Sequence, residues 1–325
     1  MSRSEGGLYT RGTMAAEGWW ERVRKLLKTM NSFHEAGSSK ALCFPFMVAG
    51  QQVGYVPPAV AKCLHQYPTV FSVSQRDEAL PHVELNEQLT SCDQRTAAVQ
   101  RVLKELKAQQ AFPCLKGWRD EMRGLGTTKQ KEGDSLLFLT IEEMMERAAT
   151  PLLGVKCYGA HLNGYTWRND EMHMWLARRA LNKPTYPGLL DNLAAGGISS
   201  ELGVRETLIK ECQEEACIPA SLATLSKSVG TISYTYEGSD GGIYPECQFV
   251  YDLELPEEFV PRVGDGEVQE FYLWSLDKVK EAIGSSDFKP NCAMVALDFL
   301  IRHSYIQPDQ ESHYVELVEG LHQSL

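Results

Sequence analysis

Residues 195–218 read AGGISSELGVRETLIKECQEEACI, and the reading of this stretch decides the fold. The double glycine Gly196-Gly197 leads into a predicted helix that carries Glu211, Glu214 and Glu215 near its C-terminal end. Spacings of three and four put Glu211 on one helical face with both other acids. Three carboxylates on one face repel one another. The C-terminal turn of a helix also carries partial negative charge, so each exposed anion there costs roughly 0.3–1 kcal/mol. A solvated helix would place Lys or Arg in that turn. A divalent cation removes both penalties. Oxygen ligands on a rigid element suit Mg²⁺ or Mn²⁺, which keep several waters and share the rest of their shell with substrate phosphates. The glycines let backbone come close to a metal or a phosphate. Gly196 is therefore placed with the metal set and Gly197 with the substrate contacts.

The same spacing resembles the Nudix box of hydrolases that cleave diphosphates. That pattern runs Gly, five residues, Glu, seven residues, Arg-Glu, an aliphatic, any residue, Glu-Glu, any residue, Gly, an aliphatic. Gly196 holds the first position, Lys210-Glu211-Cys212 stands at Arg-Glu-aliphatic, Glu214-Glu215 is the acidic pair and Ile218 closes the box. Leu202, Lys210 and Cys217 stand where the pattern has Glu, Arg and Gly. The resemblance implies metal-dependent hydrolysis by the intact acidic trio, with Lys210 keeping the charge but not the bidentate fork of Arg.

Other segments are similar to the thiamine pyrophosphokinase-related subfamily of Nudix hydrolases. They are VFSV (70–73), GWRDE (117–121), GAHLNGYTW (159–167), MWLARRALNKPTYPGLLDNLAAGG (174–197), DGEVQEF (265–271) and FKPNCAMVALDFLIRH (288–303). This resemblance spans residues 33 to 306. It implies action on thiamine diphosphate and its oxidised analogues, with release of a monophosphate.

At 325 residues the chain is long enough for two domains, and 43% hydrophobic content is ordinary for a folded protein. A formal net charge of −11 argues against a general nucleic-acid or anionic-membrane binder, so an anionic diphosphate must be collected by a local basic pocket and a metal. Nine scattered cysteines form no C-x-x-C pair, which fits a reducing compartment, with Cys212 as core. No run approaches the ~18 apolar residues of a membrane span. The expected location is the cytoplasm. A basic N-terminal segment, interrupted by Glu5, Glu17 and Glu21, leaves a mitochondrial presequence as the alternative, and Met14 is a possible start.

Four segments follow: a flexible lead with a short helix (1–30), an α+β domain (31–145), the hydrolase domain (146–306) and a C-terminal tail (307–325). In the first domain a hairpin is predicted about Gly50-Gln51, strands at 69–74 and 82–86, a helix over Asp93–Gln109 capped by Asp93, and a loop over Gly124–Gly133. A helix over Ile141–Ala149 leads on. In the second domain an antiparallel pair precedes the box. Strands near 228–236, 246–254 and 268–274 follow, then a short helix at 276–283 and a last one from 290 to 304. Strands flanking a helix, closed by another helix, indicate an α/β/α sandwich with a mixed sheet.

Glu267 and Glu270 are alternative loop carboxylates for a general base. One of Arg178, Arg179 and Lys183 should meet the phosphates, and strand alternation lets only one of the two arginines point inward. Asp191 and Asn192 are candidates for orienting substrate or a ligand. Tyr165, Trp167 and Trp175 are candidates for stacking on a heterocycle, Trp175 more readily as core. His161 and His173 read as structural. Trp118-Arg119-Asp120-Glu121 reads as a domain junction or a substrate contact. The substrate is a small diphosphate, and the protein a monomer or homodimer. An isopentenyl-diphosphate-isomerase-like enzyme would need an acid/base Cys in a particular setting ahead of the box, and none of this chain's cysteines lies in that setting. A non-catalytic diphosphate-binding protein is the other alternative.

Overall fold

The computed structural model describes residues 17–74, 81–124, 144–199 and 202–325. The first helix, α1 (Trp19–Met30), buries Val23, Leu27 and Met30. Next come strands β1 (Phe44–Val48) and β2 (Gln51–Val56), helix α2 (Pro58–Leu64), strands β3 (Phe71–Val73) and β4 (Val83–Leu85), and the long helix α3 (Cys92–Ala108). The β1–β2 hairpin turns at Ala49-Gly50, both with positive φ. The strands form one sheet in the order β2-β1-β4-β3, with β1 and β4 parallel. Apolar residues of α3 at Val99, Val102, Leu103 and Leu106 pack on Phe46, Phe71 and Leu64 to give this domain its own core.

Three expectations are corrected here. Helix α3 is capped by Ser91, not Asp93: the Ser91 hydroxyl accepts from the Gln94 N–H at 3.2 Å, and the Gln94 side chain accepts from the Ser91 N–H. This reciprocal pair satisfies two free N–H groups, which Asp93 inside the first turn does not do. The helix expected over Ile141–Ala149 is absent among the described residues of that span. Residues Met144–Glu146 form β6, which pairs with β5 (Met122–Gly124), and 147–149 make a 3₁₀ turn into α4 (Thr150–Leu153). Backbone pairing with β5 outweighs the local helix preference. Gly124, expected in a loop, belongs to β5. Residues 125–133 of that loop, 141–143 and the lead to residue 16 lie outside the described residues.

The second unit is built on β7 (Cys157–Arg168), β8 (Glu171–Arg179), the short β9 (Leu190–Asp191) and β10 (Ala194–Gly197). It continues through the box helix α5 (Val204–Ala216), α6 (Ala220–Ala223), β11 (Lys227–Glu237), β12 (Ile243–Glu254), β13 (Val268–Ser275), α7 (Leu276–Ala282), α8 (Pro290–Arg302) and α9 (Tyr314–Leu321). The sheet runs β11-β12-β7-β8-β13, with β10 beside β7 and β9 beside β8. Only the β12–β7 pair in it is parallel, so the sheet is mixed. Successive side chains of a strand point to opposite faces. Met174 and Leu176 of β8 accordingly join one core with α8, α7, α1 and α9, while Trp175 joins the other with Leu208, Cys212 and Ala216 of α5. The result is the expected α/β/α sandwich.

The cores divide the chain differently from the segment boundaries. Residues 19–30 and 314–321 pack on the hydrolase side, where the Trp20 and His313 rings stack at 4.0 Å and Asn31 donates to the Gly320 carbonyl at 2.8 Å. Ala149, Leu152, Leu153 and Val155 stay in the core of the first domain. Among the described residues no helix is long and apolar enough to cross a membrane.

Candidate functional site

A cavity of about 800 Å³ opens between the box helix, the β10 edge and the first domain. Its acidic wall is made by the helix read from the sequence. Glu215 is buried and accepts from the Ala195 N–H at 2.9 Å. Glu211 lies against Gly196 so closely that a β-carbon there would come within 2.2 Å of its carboxyl carbon. Lys210 donates to Glu214 at 2.5 Å, one turn away, and stands 3.7 Å from Glu211. Gly197 abuts the guanidinium of Arg123, where a β-carbon would approach Nη2 to 2.4 Å. The two glycines thus present opposite faces of one strand to an acid of the box helix and to a base of the first domain.

The end of α5 explains how a distant loop reaches the site. The last turn of a helix leaves carbonyls without partners. Here the carbonyls of Glu214, Glu215 and Ala216 accept from the backbone N–H groups of Asp265, Gly264 and Arg262 at 2.9, 3.2 and 3.2 Å. The chain from 262 to 265 is therefore fastened to the box helix, which carries Glu267 into the cavity wall, ion-paired with Lys183. Glu270 lies outside the cavity, accepting from the Tyr272 hydroxyl at 2.5 Å. Of the two loop acids, the structure brings Glu267 to the site and not Glu270, because β13 has begun and turned Glu270 away.

The two arginines part as alternation requires. Arg179 lines the cavity but is engaged with Asp191 at 2.6 Å and with the carbonyls of Thr185 and Tyr186. Arg178 points away and makes a two-pronged pair with Asp287, at 2.6 and 3.1 Å. Asp191 is buried behind the wall rather than on it. Burial alone would raise its pKa, but Lys289 and Arg179 hold it well below the usual carboxylate range. It therefore anchors Arg179 and Lys289 instead of meeting substrate. The Asn192 amide oxygen accepts from the His161 Nδ1–H at 2.8 Å, and burial pulls the His161 pKa down to about 4, which keeps the ring neutral. His161 borders the cavity and His173 does not.

The expected stacking residues are elsewhere. Trp175 is core, Trp167 is exposed at the far end of β7, and Tyr165 packs on Phe299 and His303. The aromatic wall is instead Tyr158, Tyr186, Tyr234, Tyr236 and Tyr244, the last two stacked at 4.7 Å and within 6° of parallel. Beside them Glu246 takes the Tyr234 hydroxyl at 2.6 Å and the Gln248 amide at 2.9 Å on one carboxylate oxygen. The period-two tyrosines of SYTYE (233–237) are the signal that points to this wall. From GWRDE, Arg119 and Glu121 line the cavity, joined by Arg123 and Arg147. No local pattern marks those two, since only the docking of the first domain brings them in.

Glu211, Glu214 and Glu215 offer only hard oxygen donors. Burial raises the pKa of Glu211 and raises that of Glu215 far more, and neighbouring acids push both further up, Glu214 and Glu267 on Glu211 and Asp191 and Glu211 on Glu215. Crowded carboxylates lining a cavity fit a cation that balances them. Among the described residues no three His, Cys, Asp or Glu side chains close into a cage.

Residues 164–292 match the NUDIX domain family, and residues 23–157 match a domain of unknown function, DUF4743. The chain is 38% identical over 282 residues to Nudix hydrolase 20, chloroplastic, of Arabidopsis thaliana, covering 85% of this chain and 72% of that protein. It is also 38% identical over 279 residues to Nudix hydrolase 24, chloroplastic, of the same plant, again over 85% and 72%. The NUDIX domain of Shewanella oneidensis NrtR, solved with ADP ribose, superposes with a TM-score of 0.37 at 13% identity, over 46% of this chain and 89% of that one. With this domain, these relatives and an α/β/α sandwich around the acidic box helix, the chain belongs to the Nudix hydrolases, which act on diphosphate-containing substrates with the help of divalent metal ions.

Proposed function

We propose that this hydrolase cleaves thiamine diphosphate and its oxidised analogues to the monophosphate and inorganic phosphate, with Mg²⁺ as the metal. The observation that carries the reading is the make-up of the cavity wall, which joins the box acids and a set of basic side chains to five tyrosines and Glu246. A volume of about 800 Å³ suits one heterocycle with a diphosphate arm. Tyrosine faces take a flat ring, and the Glu246 carboxylate would accept from an amino group or ring N–H at its edge. The segments shared with the thiamine pyrophosphokinase-related subfamily support the same choice.

Glu211, Glu214 and Glu215 would hold the cation, whose charge would neutralise the diphosphate oxygens and polarise a water. Lys210 keeps Glu214 and Glu211 in place. Glu267, held by Lys183, accepts the water proton at a carboxylate oxygen as the water oxygen bonds to phosphorus. The bridging P–O bond breaks, its electrons stay on the leaving phosphate, and two phosphates result. Arg179 is already saturated by its own loop, so it shapes the wall.

The test is a side-by-side assay with Mg²⁺. kcat/KM for oxidised thiamine diphosphates should exceed that for ADP-ribose at least tenfold, about 1.4 kcal/mol of discrimination. A reversed ranking removes the thiamine assignment and leaves the diphosphate hydrolase.

A further inference from the structure

Arg123 belongs to β5, within the stretch that matches a domain of unknown function, yet its guanidinium stands in the hydrolase cavity. The residue is only 6% exposed. Its Nη2 pairs with Glu121, but its Nη1 is buried without a hydrogen-bond partner. A buried donor left unmade costs about 1–3 kcal/mol, and more when charged. Burial, and then Arg147, lower the Arg123 pKa against the opposing pull of Glu121 and Glu211. Arg119 and Arg147 line the same wall, and both are exposed at its rim. Three guanidiniums line the cavity here, and Glu121 is shared between Arg123 and Arg147. Gly197 leaves room for the Arg123 fork, and Gly196, next in the chain, leaves room for Glu211 on the other face of β10.

We propose that Arg123, with Arg119 and Arg147 at the rim, forms a seat for the terminal phosphate of the substrate, so that the substrate is a diphosphate monoester with a free terminal phosphoryl group. This rests on the reading of the cavity as a diphosphate hydrolase site. A terminal phosphate presents three unesterified oxygens and nearly two negative charges, which suits a buried fork flanked by two more guanidiniums. A phosphate esterified on both sides presents two oxygens and one charge and leaves part of the cluster unmatched. The domain of unknown function would then be half of the active site: it holds the phosphate that leaves, while the box helix holds the acids.

The experiment is calorimetric titration of inorganic pyrophosphate into the full chain with EDTA present, for the wild type, Arg123→Met and Arg123→Lys, with circular dichroism to establish folding. Arg123→Met should weaken binding roughly 10- to 100-fold, the worth of a charge-assisted hydrogen bond, and Arg123→Lys should recover part of it. In turnover, Arg123→Met should raise KM for thiamine diphosphate by a larger factor than it raises KM for ADP-ribose. A folded Arg123→Met with wild-type pyrophosphate affinity overturns the seat. Should Arg123→Met not fold, the rim pair Arg119→Ala/Arg147→Ala decides: weaker binding supports the seat and unchanged binding overturns it. A wild type that binds pyrophosphate through Arg123 yet turns over no diphosphate monoester sinks the proposed reaction and leaves the seat standing.

Discussion

Cys217 stands where the box has glycine, and the structure shows why glycine belongs there. It ends α5 with φ 52° and ψ 32°, in the left-handed region, so that the Ile218 N–H can reach back to the Cys212 carbonyl at 2.9 Å. That conformation costs a side-chain-bearing residue roughly 1–2 kcal/mol, offset by ~0.4–1 kcal/mol because glycine loses more freedom on folding. Cys217→Gly is therefore expected to stabilise the fold by about 0.5–1 kcal/mol, near 2 °C in a thermal melt. No rise in the midpoint would refute the strain argument. Such details were legible where spacing alone decides. Glu211, Glu214, Glu215 and the Lys210 contact follow from 3.6-residue periodicity. Glu270, Arg178 and Asp191 do not, because whether each faces the cavity depends on where a strand starts and which partner claims the side chain.

The helices and strands were read from their patterns to within a few residues where both faces are apolar, as in β7, β8 and α8. The exceptions have tertiary causes. Strand β6 exists because β5 pairs with it. The tie between β12 and α8 is equally invisible in sequence: Arg302 forks onto Asp252 at 2.6 and 3.0 Å, and His303 adds a contact at 2.8 Å. Burial would raise the Asp252 pKa, but His303 and Arg302 hold it below the ordinary aspartate value. A depressed carboxyl adds stability that is complete above its unfolded value, about 3.9, and is lost as pH falls through the folded value. Asp252→Asn should thus cost about 3 kcal/mol at pH 7. The gap from wild type should narrow below about pH 4, as followed by urea midpoints across that range. A gap that stays constant down to pH 2 would contradict it.

The sandwich was legible, since element order dictates it. The walls of the cavity were not, because Arg119, Arg123 and Arg147 come from one core and the acids from another, and no single stretch records how two cores dock. That seam has a thermodynamic consequence. A ligand spanning it binds the docked pair and neither core alone, so by mass action it holds the two together, by about 2.7 kcal/mol at a hundred times its dissociation constant. Pyrophosphate should therefore slow amide hydrogen exchange in β1 and β4, far from any phosphate contact, as much as in β7 and β12. Protection confined to the strands of the hydrolase side would show that the cores open independently. If exchange slows throughout, the substrate is itself a clasp, and the enzyme is at its most resistant to unfolding and proteolysis while it has work to do.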